Sequence, residues 1–113
     1  MPLWLGRLLT NLLDNADRHA ATTVHVRLGT DPARGLALLD VEDDGPGIPP
    51  ADRERVFERF TRLDDARSRD HGGTGLGLSI ARDIARHHHG TLAVTPTPTG
   101  ARLTATIPLT AAD

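Results

Sequence analysis

The sequence predicts an α+β chain folded as a two-layer α/β sandwich, with helices on one face of a mostly antiparallel mixed sheet. Three observations carry this. An apolar stripe at helical spacing opens the chain, and two pairs of short strands are each joined through a turn. The order helix, strand, strand, helix, helix, strand, strand also lacks the regular alternation of a doubly wound sheet. Helices with one apolar stripe and strands with one apolar face bury each other when the helices share one side of the sheet.

From Leu3 to Ala20, residues Leu5, Leu8, Leu9, Leu12, Leu13 and Ala16 recur at helical spacing. The pattern is already running at Leu3 with no N-cap before it, so the domain is read as truncated at its start. Val24, Val26 and Leu28 alternate with His25 and Arg27, which predicts a half-buried strand. Asp31-Pro32-Ala33-Arg34-Gly35 supplies turn residues before a second strand, Leu36 to Val41, and the two form a hairpin. After the Gly/Pro segment 45–50, Val56, Phe57, Phe60 and Leu63 mark a short helix, and the charged stretch Asp64 to Gly73 reads as a mobile loop. A third helix from near Gly77 is expected to bury Leu78, Ile80, Ala81, Ile84 and Ala85. It stops around His89-Gly90, where glycine takes a left-handed cap. Two last strands, Thr91 to Thr95 and Arg102 to Ile107, flank the turn Pro96-Thr97-Pro98-Thr99-Gly100.

At 113 residues the chain has the size of one domain, 1–113, able to bury roughly two thirds of its unfolded surface. A formal net charge of -2 gives no bulk attraction to nucleic acid or anionic membrane, so partners must be read from local sites. The absence of cysteine excludes disulfides and thiolate metal sites. No apolar run approaches the ~20 residues that span a bilayer, so no direct membrane contact by this segment is expected; the expected location is cytoplasmic, with membrane anchoring of the parent protein left open. All 13 of the Lys and Arg residues are arginine, so a phosphate contact must use a guanidinium or a backbone N–H rather than an ammonium group.

Three segments carry candidate chemistry. On the first helix, at ~100° per residue, Asn11, Asn15 and Arg18 lie within about 60° of one another, on the side away from most of the leucines. Two carboxamides and a guanidinium there suit a hard cation and phosphate oxygens, although a solvated helix face has the same pattern. Asp43-Asp44-Gly45-Pro46-Gly47-Ile48-Pro49 follows a strand directly. A turn accounts for the whole segment, its glycines supplying positive φ and its acids capping or solvated; in the functional reading the apolar strand pushes Asp43 into a pocket, where it accepts from an exocyclic amine such as that of adenine. Gly72-Gly73-Thr74-Gly75-Leu76-Gly77-Leu78 enters a helix and lets backbone N–H groups approach an anion at a positive helix N-terminus. It is neither a Walker loop nor the dinucleotide fingerprint, since no Gly-Lys-Ser/Thr follows and Leu78 stands where a third glycine is needed.

Taken in order, these segments resemble the ATP-binding catalytic domain of sensor histidine kinases, within the superfamily that includes gyrase, mismatch-repair and heat-shock chaperone ATPases. Asn11-Leu12-Leu13-Asp14-Asn15-Ala16 looks like the family's N box, Asp43-Asp44-Gly45-Pro46-Gly47 like its first glycine box and Phe57-Glu58-Arg59-Phe60 like its F box. Gly73-Thr74-Gly75-Leu76-Gly77-Leu78 looks like its second glycine box. The resemblance covers nearly the whole chain and implies the ATP-binding sandwich known as the Bergerat fold.

It also implies ATP and Mg²⁺ as ligands, with Asn11 and Asn15 in the catalytic role, Asn15 on the metal and Arg18 at phosphate. Asp43 would bind the adenine amino group, with Gly45, Gly47 and Ile48 along the base and His19 near the nucleotide. A lid over approximately 50–73 would be anchored by Phe57 and Phe60, and Gly73, Thr74, Gly75, Leu76, Gly77 and Leu78 would wrap the phosphates. The implied partners are a histidine-bearing dimerisation and phosphoacceptor domain of the same protein and a downstream response regulator.

Departures from the family pattern are Gly100-Ala101, where a Gly-Thr pair is usual, and His87-His88-His89, read as a solvated helix end. Water-splitting relatives carry a glutamate base where this chain has Asn11. A neutral imidazole acceptor needs less base assistance, so kinase is favoured over ATPase. The chain by itself is expected to bind Mg-ATP without phosphorylating itself. The alternative is a degenerate nucleotide-binding or partner-docking module that transfers no phosphate.

Overall fold

The computed structural model describes residues 3–58 and 77–109. The expectations for Phe60, Leu63, the 64–73 loop and Gly73 to Leu76 lie outside them.

Helix α1, Leu3–His19, buries Leu8, Leu12 and Ala16 of its predicted stripe, and Asn15, expected on the polar side, is buried with them because it lies only about 20° from Leu8 around the helix; Arg18 and His19 complement the negative end of its dipole. Strands β1, Val24–Asp31, and β2, Leu36–Asp43, pair antiparallel from Val24 opposite Asp43 to Asp31 opposite Leu36. Their connection closes with the Gly35 N–H on the Pro32 carbonyl at 3.2 Å and Gly35 left-handed at φ 67. Two short 3₁₀ turns follow, Pro50–Asp52 and Arg55–Phe57. Helix α2, Gly77–His87, then leads to β3, Thr91–Thr95, and β4, Ala101–Pro108.

The sheet order is β1-β2-β4-β3, and every ladder among the described residues is antiparallel. Leu39 and Val41 of β2, Leu103 and Ala105 of β4 and Leu92 of β3 face Leu8, Leu12 and Ala16 of α1 and Ala81 and Ala85 of α2 in one core. The two alanines let α2 lie close against α1. Helices on one face of an antiparallel sheet are the sandwich the sequence predicts.

Four local expectations are corrected. β1 is not half-buried: Val26 is 48% and Leu28 76% exposed, because the helices cover β2, β4 and β3 and β1 lies at the sheet edge. Ile80 is 38% exposed, since it falls off the Leu78, Ala81, Ile84, Ala85 stripe by one helical step. The described start of the expected helix around Val56 and Phe57 is a pair of 3₁₀ turns, the second closed by the Phe57 N–H on the Glu54 carbonyl at 3.1 Å. Finally, the left-handed residue that ends α2 is His89, at φ 66, not Gly90. Gly90 donates to the Ala85 carbonyl at 2.7 Å and His89 to that of Arg86 at 3.0 Å, a Schellman closure with His89 at C′. Glycine is needed one residue later, where a Cβ on Gly90 would stand 2.0 Å from the Thr106 carbonyl oxygen.

The topology gathers the ends of four elements. The last residue of β2, Asp43, is opposite the first residue of β4, Ala101. The Asp44 N–H donates to the Thr23 carbonyl just past α1, and the N-terminal Gly77 of α2 approaches Arg18 near the end of α1.

Candidate functional site

Asp43 is the floor of this junction. It is 5% exposed, and its Oδ1 accepts the Gly45 N–H at 2.8 Å. Burial pushes its carboxyl above the ordinary carboxylate range, opposed by the hydrogen bond from Gly45, by His19 and by the backbone N–H of Ala101. A desolvated carboxylate in this state gains from any further donor a ligand brings.

Asp44 points the other way, as successive residues of an extended chain do. Its carboxylate accepts the N–H groups of Ala21, Thr22 and Thr23 at 2.9, 2.9 and 3.0 Å and the hydroxyls of Thr22 and Thr23. The Thr22 hydroxyl, then the backbone donors, hold it well below the usual carboxylate range. Asp44 thus ties the α1–β1 connection to the loop that carries Asp43.

The glycines of the loop sit where backbone meets backbone. A Cβ on Gly45 would stand 1.9 Å from the His19 carbonyl oxygen. Gly47 is left-handed at φ 85 and Gly100 at φ 69, and a Cβ on Gly100 would stand 1.8 Å from the Asp43 carbonyl oxygen. The structure therefore seats the Asp43-to-Gly47 loop against both the end of α1 and the β3–β4 connection. A cavity of about 310 Å³ opens beside it, with Gly47, Ile48 and Ala101 in its wall.

On α1, Asn15 is 6% exposed, Asn11 and Arg18 are half-buried and His19 is exposed. The His19 ring donates from Nδ1 to the Asn15 carbonyl at 3.0 Å, which orients the ring over the end of the helix. A Cβ on Gly77 would lie 3.9 Å from Arg18 Nη2, so a guanidinium stands beside the positive N-terminus of α2. Two positive groups converging in this way suit an anion between them.

Of the sequence-derived site residues, Asn15, Arg18, His19, Asp43, Gly45, Gly47 and Gly77 meet at this junction. Ile48 lines the adjoining cavity and Asn11 lies one helical turn from Asn15, whereas Leu78 packs against the core. Phe60, Gly73, Thr74, Gly75 and Leu76 lie outside the described residues. The histidine run is not simply solvated, because His88 stacks on Trp4 with ring centroids 3.8 Å apart.

Sequence reasoning missed two arrangements. One is the anchoring of Asp44. The other is Arg82, which donates from Nη1 and Nη2 to Glu54 Oε1 and Oε2 at 2.9 and 3.2 Å and lies 4.4 Å above the Phe57 ring. Only Asp-Asp followed by glycine, after a Thr-rich connection, could have signalled the first. Nothing local signals a pair 28 residues apart.

The family described as histidine kinase-, DNA gyrase B-, and HSP90-like ATPase matches residues 1–111. The probable sensor histidine kinase TcrY of Mycobacterium tuberculosis is 44% identical over 107 residues, covering 93% of this chain and 22% of that protein. The mycobacterial sensor histidine kinase MprB superposes with a TM-score of 0.77 at 39% identity, covering 93% of this chain and 70% of that one. Full-length ShkA in complex with AMPPNP gives 0.79 at 29% identity, over 93% of this chain and 21% of that one. The chain spans about a fifth of the length of the curated relatives it matches.

Proposed function

Because this chain belongs to the histidine kinase-, DNA gyrase B-, and HSP90-like ATPase family, we propose that it is the ATP-binding catalytic module of a sensor histidine kinase. In this reading it holds Mg-ATP and donates the γ-phosphate to a histidine on a separate dimerisation and phosphoacceptor domain. Residues 1–113 act as one domain, and a response regulator takes the phosphoryl group afterwards.

The buried Asp43 carboxylate is the observation that carries the reading. It is desolvated, held by Gly45 and Ala101, and carried on a loop whose glycines let it pack against the end of α1 and the β3–β4 connection. Asp43 accepts from the adenine amino group, with Ile48 and Gly47 beside the base and His19 over the end of α1.

Arg18 and the N-terminus of α2 converge where phosphate oxygens fit, and Asn11 and Asn15 lie on the same face of α1. Among the described residues no three His, Cys, Asp or Glu are grouped to hold a metal. Asn15 would be the residue to hold Mg²⁺, through its carboxamide oxygen, a donor type that suits this ion. Bound there, the ion supplies charge neutralisation at the phosphates. Asn11 offers no basicity, so the domain positions and screens while the acceptor imidazole provides its own lone pair. Phe60 and Gly73, Thr74, Gly75 and Leu76 keep the roles the family resemblance gives them.

Isothermal titration of the folded chain with AMPPNP and Mg²⁺ tests the binding half. Heat of binding is expected, and a folded sample silent at millimolar nucleotide overturns the proposal. Transfer is tested by adding a helical hairpin with an acceptor histidine and labelled ATP. An unlabelled hairpin would assign the chain to nucleotide or partner docking without phosphotransfer.

A further inference from the structure

Arg82 and Glu54 join α2 to the segment that follows the Asp43 loop. Both guanidinium Nη atoms reach the two carboxylate oxygens of Glu54, a fork-to-fork pair of charge-assisted bonds. The same guanidinium lies over Phe57, itself 6% exposed and part of the core. Arg82 Nε is buried with no hydrogen-bond partner, as expected of a group stacked on a ring face. The Glu54 carboxyl is held below its usual range, first by the hydrogen bonds from Arg82 and then by its charge. The Arg82 side chain is only 17% exposed and Glu54 78% exposed, so the arginine is fixed and the glutamate reaches in to meet it.

Arg82 is one and a half turns from Gly77, where α2 meets Arg18. Its two contacts fix both the rotation and the height of α2 against the Arg55–Phe57 turn. Resting on the nucleotide reading above, we propose that Arg82, through Glu54 and Phe57, is a positioning residue for the phosphates. It holds the N-terminus of α2 at the distance from Arg18 that an anion requires, without touching nucleotide itself.

The test compares two ligands. AMPPNP with Mg²⁺ reads the phosphate end, and adenosine, followed by ligand-observed NMR, reads the Asp43 end alone. Arg82→Glu and Glu54→Arg are each expected to weaken AMPPNP about tenfold or more, and the double charge swap to recover most of that loss, as coupled residues in contact do. Arg82→Lys, which keeps charge but not the fork, is expected to fall between. Adenosine affinity stays at the parent level in all of them. Glu54→Gln alters only an exposed side chain, so it tests the idea in a chain whose thermal melt matches the parent; about threefold weaker AMPPNP is expected, since a neutral acceptor bonds about half as strongly.

Unchanged AMPPNP affinity in folded single variants overturns the inference and leaves the nucleotide reading standing. So does an equal loss for adenosine and AMPPNP, which marks a merely structural role, or a swap that recovers nothing. A parent that binds neither ligand overturns the nucleotide reading and the inference together.

Discussion

Thr22 gives Asp44 both its backbone N–H and its hydroxyl, so one threonine satisfies two of the five donors on a carboxylate that follows a buried one. The pair Asp43-Asp44 divides by surroundings: Asp44 gathers the α1–β1 connection, and Asp43 is buried with the Gly45 N–H on its Oδ1.

Replacing Asp44 by Ala leaves three backbone donors at the end of α1 without their acceptor, and the thermal midpoint is expected to fall by several degrees, more than for Asp44→Asn. The pH dependence has a definite sign. The folded-state pKa is depressed, so the contribution to stability is present above the ordinary value of about 3.9 and is lost as pH falls below it. Thermal melts between pH 3 and pH 6 are expected to steepen toward acid in the parent and to stay flatter in Asp44→Asn. Parallel curves would show that Asp44 is not the anchor.

Asp43 has the opposite sign. Its folded-state pKa is raised, so ionisation opposes folding above that pKa, and the cost disappears as pH falls through it. Asp43→Asn is therefore expected to raise the midpoint at neutral pH, with the difference narrowing toward pH 4. The same change removes a charged acceptor worth roughly 1.5–3 kcal/mol, so ATP is expected to bind about tenfold or more weakly and discrimination against GTP to vanish. Equal ATP-to-GTP ratios in parent and variant would reject the adenine assignment.

Glycine substitutions separate close approach from simple flexibility. Gly100→Ala places a methyl 1.8 Å from the Asp43 carbonyl oxygen at a left-handed residue and is expected to abolish cooperative unfolding near room temperature. Gly29→Ala on β1 meets nothing within 4 Å and is expected to change stability by less than about 0.5 kcal/mol. Urea unfolding of both variants checks the contrast.

His89→Gly at the end of α2 is expected to stabilise the chain by about 0.5–1 kcal/mol, because the left-handed conformation carries a penalty that glycine lacks. Gly90→Ala, one residue on, is expected to destabilise by more. A neutral His89→Gly would mean that the histidine side chain recovers its conformational cost elsewhere.

Much of the architecture was legible because it is local. The Leu8, Leu12, Ala16 stripe, the Asp31-to-Gly35 turn and the apolar strands each announce themselves within a few residues, whereas the strand end at Asp43 fits a solvated turn as well as the buried carboxylate the fold makes of it. What stayed hidden depends on which elements come to lie beside which. Alternation at Val26 and Leu28 marks a strand face but not whether a helix reaches it. The Gly77 run predicts a helix start, yet its closeness to Arg18 is set by how α1 crosses α2. Glycine is required at 90 by Thr106, distant in sequence, and not by the left-handed cap, which His89 occupies.

Among the described residues, β1 leaves one long edge of backbone donors and acceptors unpaired, with Val26 and Leu28 continuing the apolar face of Leu39 and Val41 past the last helix. Such an edge is a template for strand addition. At high concentration this chain would recruit a second molecule there sooner than anywhere on its polar outer sheet face, where Arg102, Thr104 and Thr97 are already engaged with Thr95, Asp40 and Glu42. The exposed part of that edge at Leu28, opposite Leu39, lies several residues along the strand from Asp43, so a charge at position 28 is expected to blunt self-association without reaching the junction.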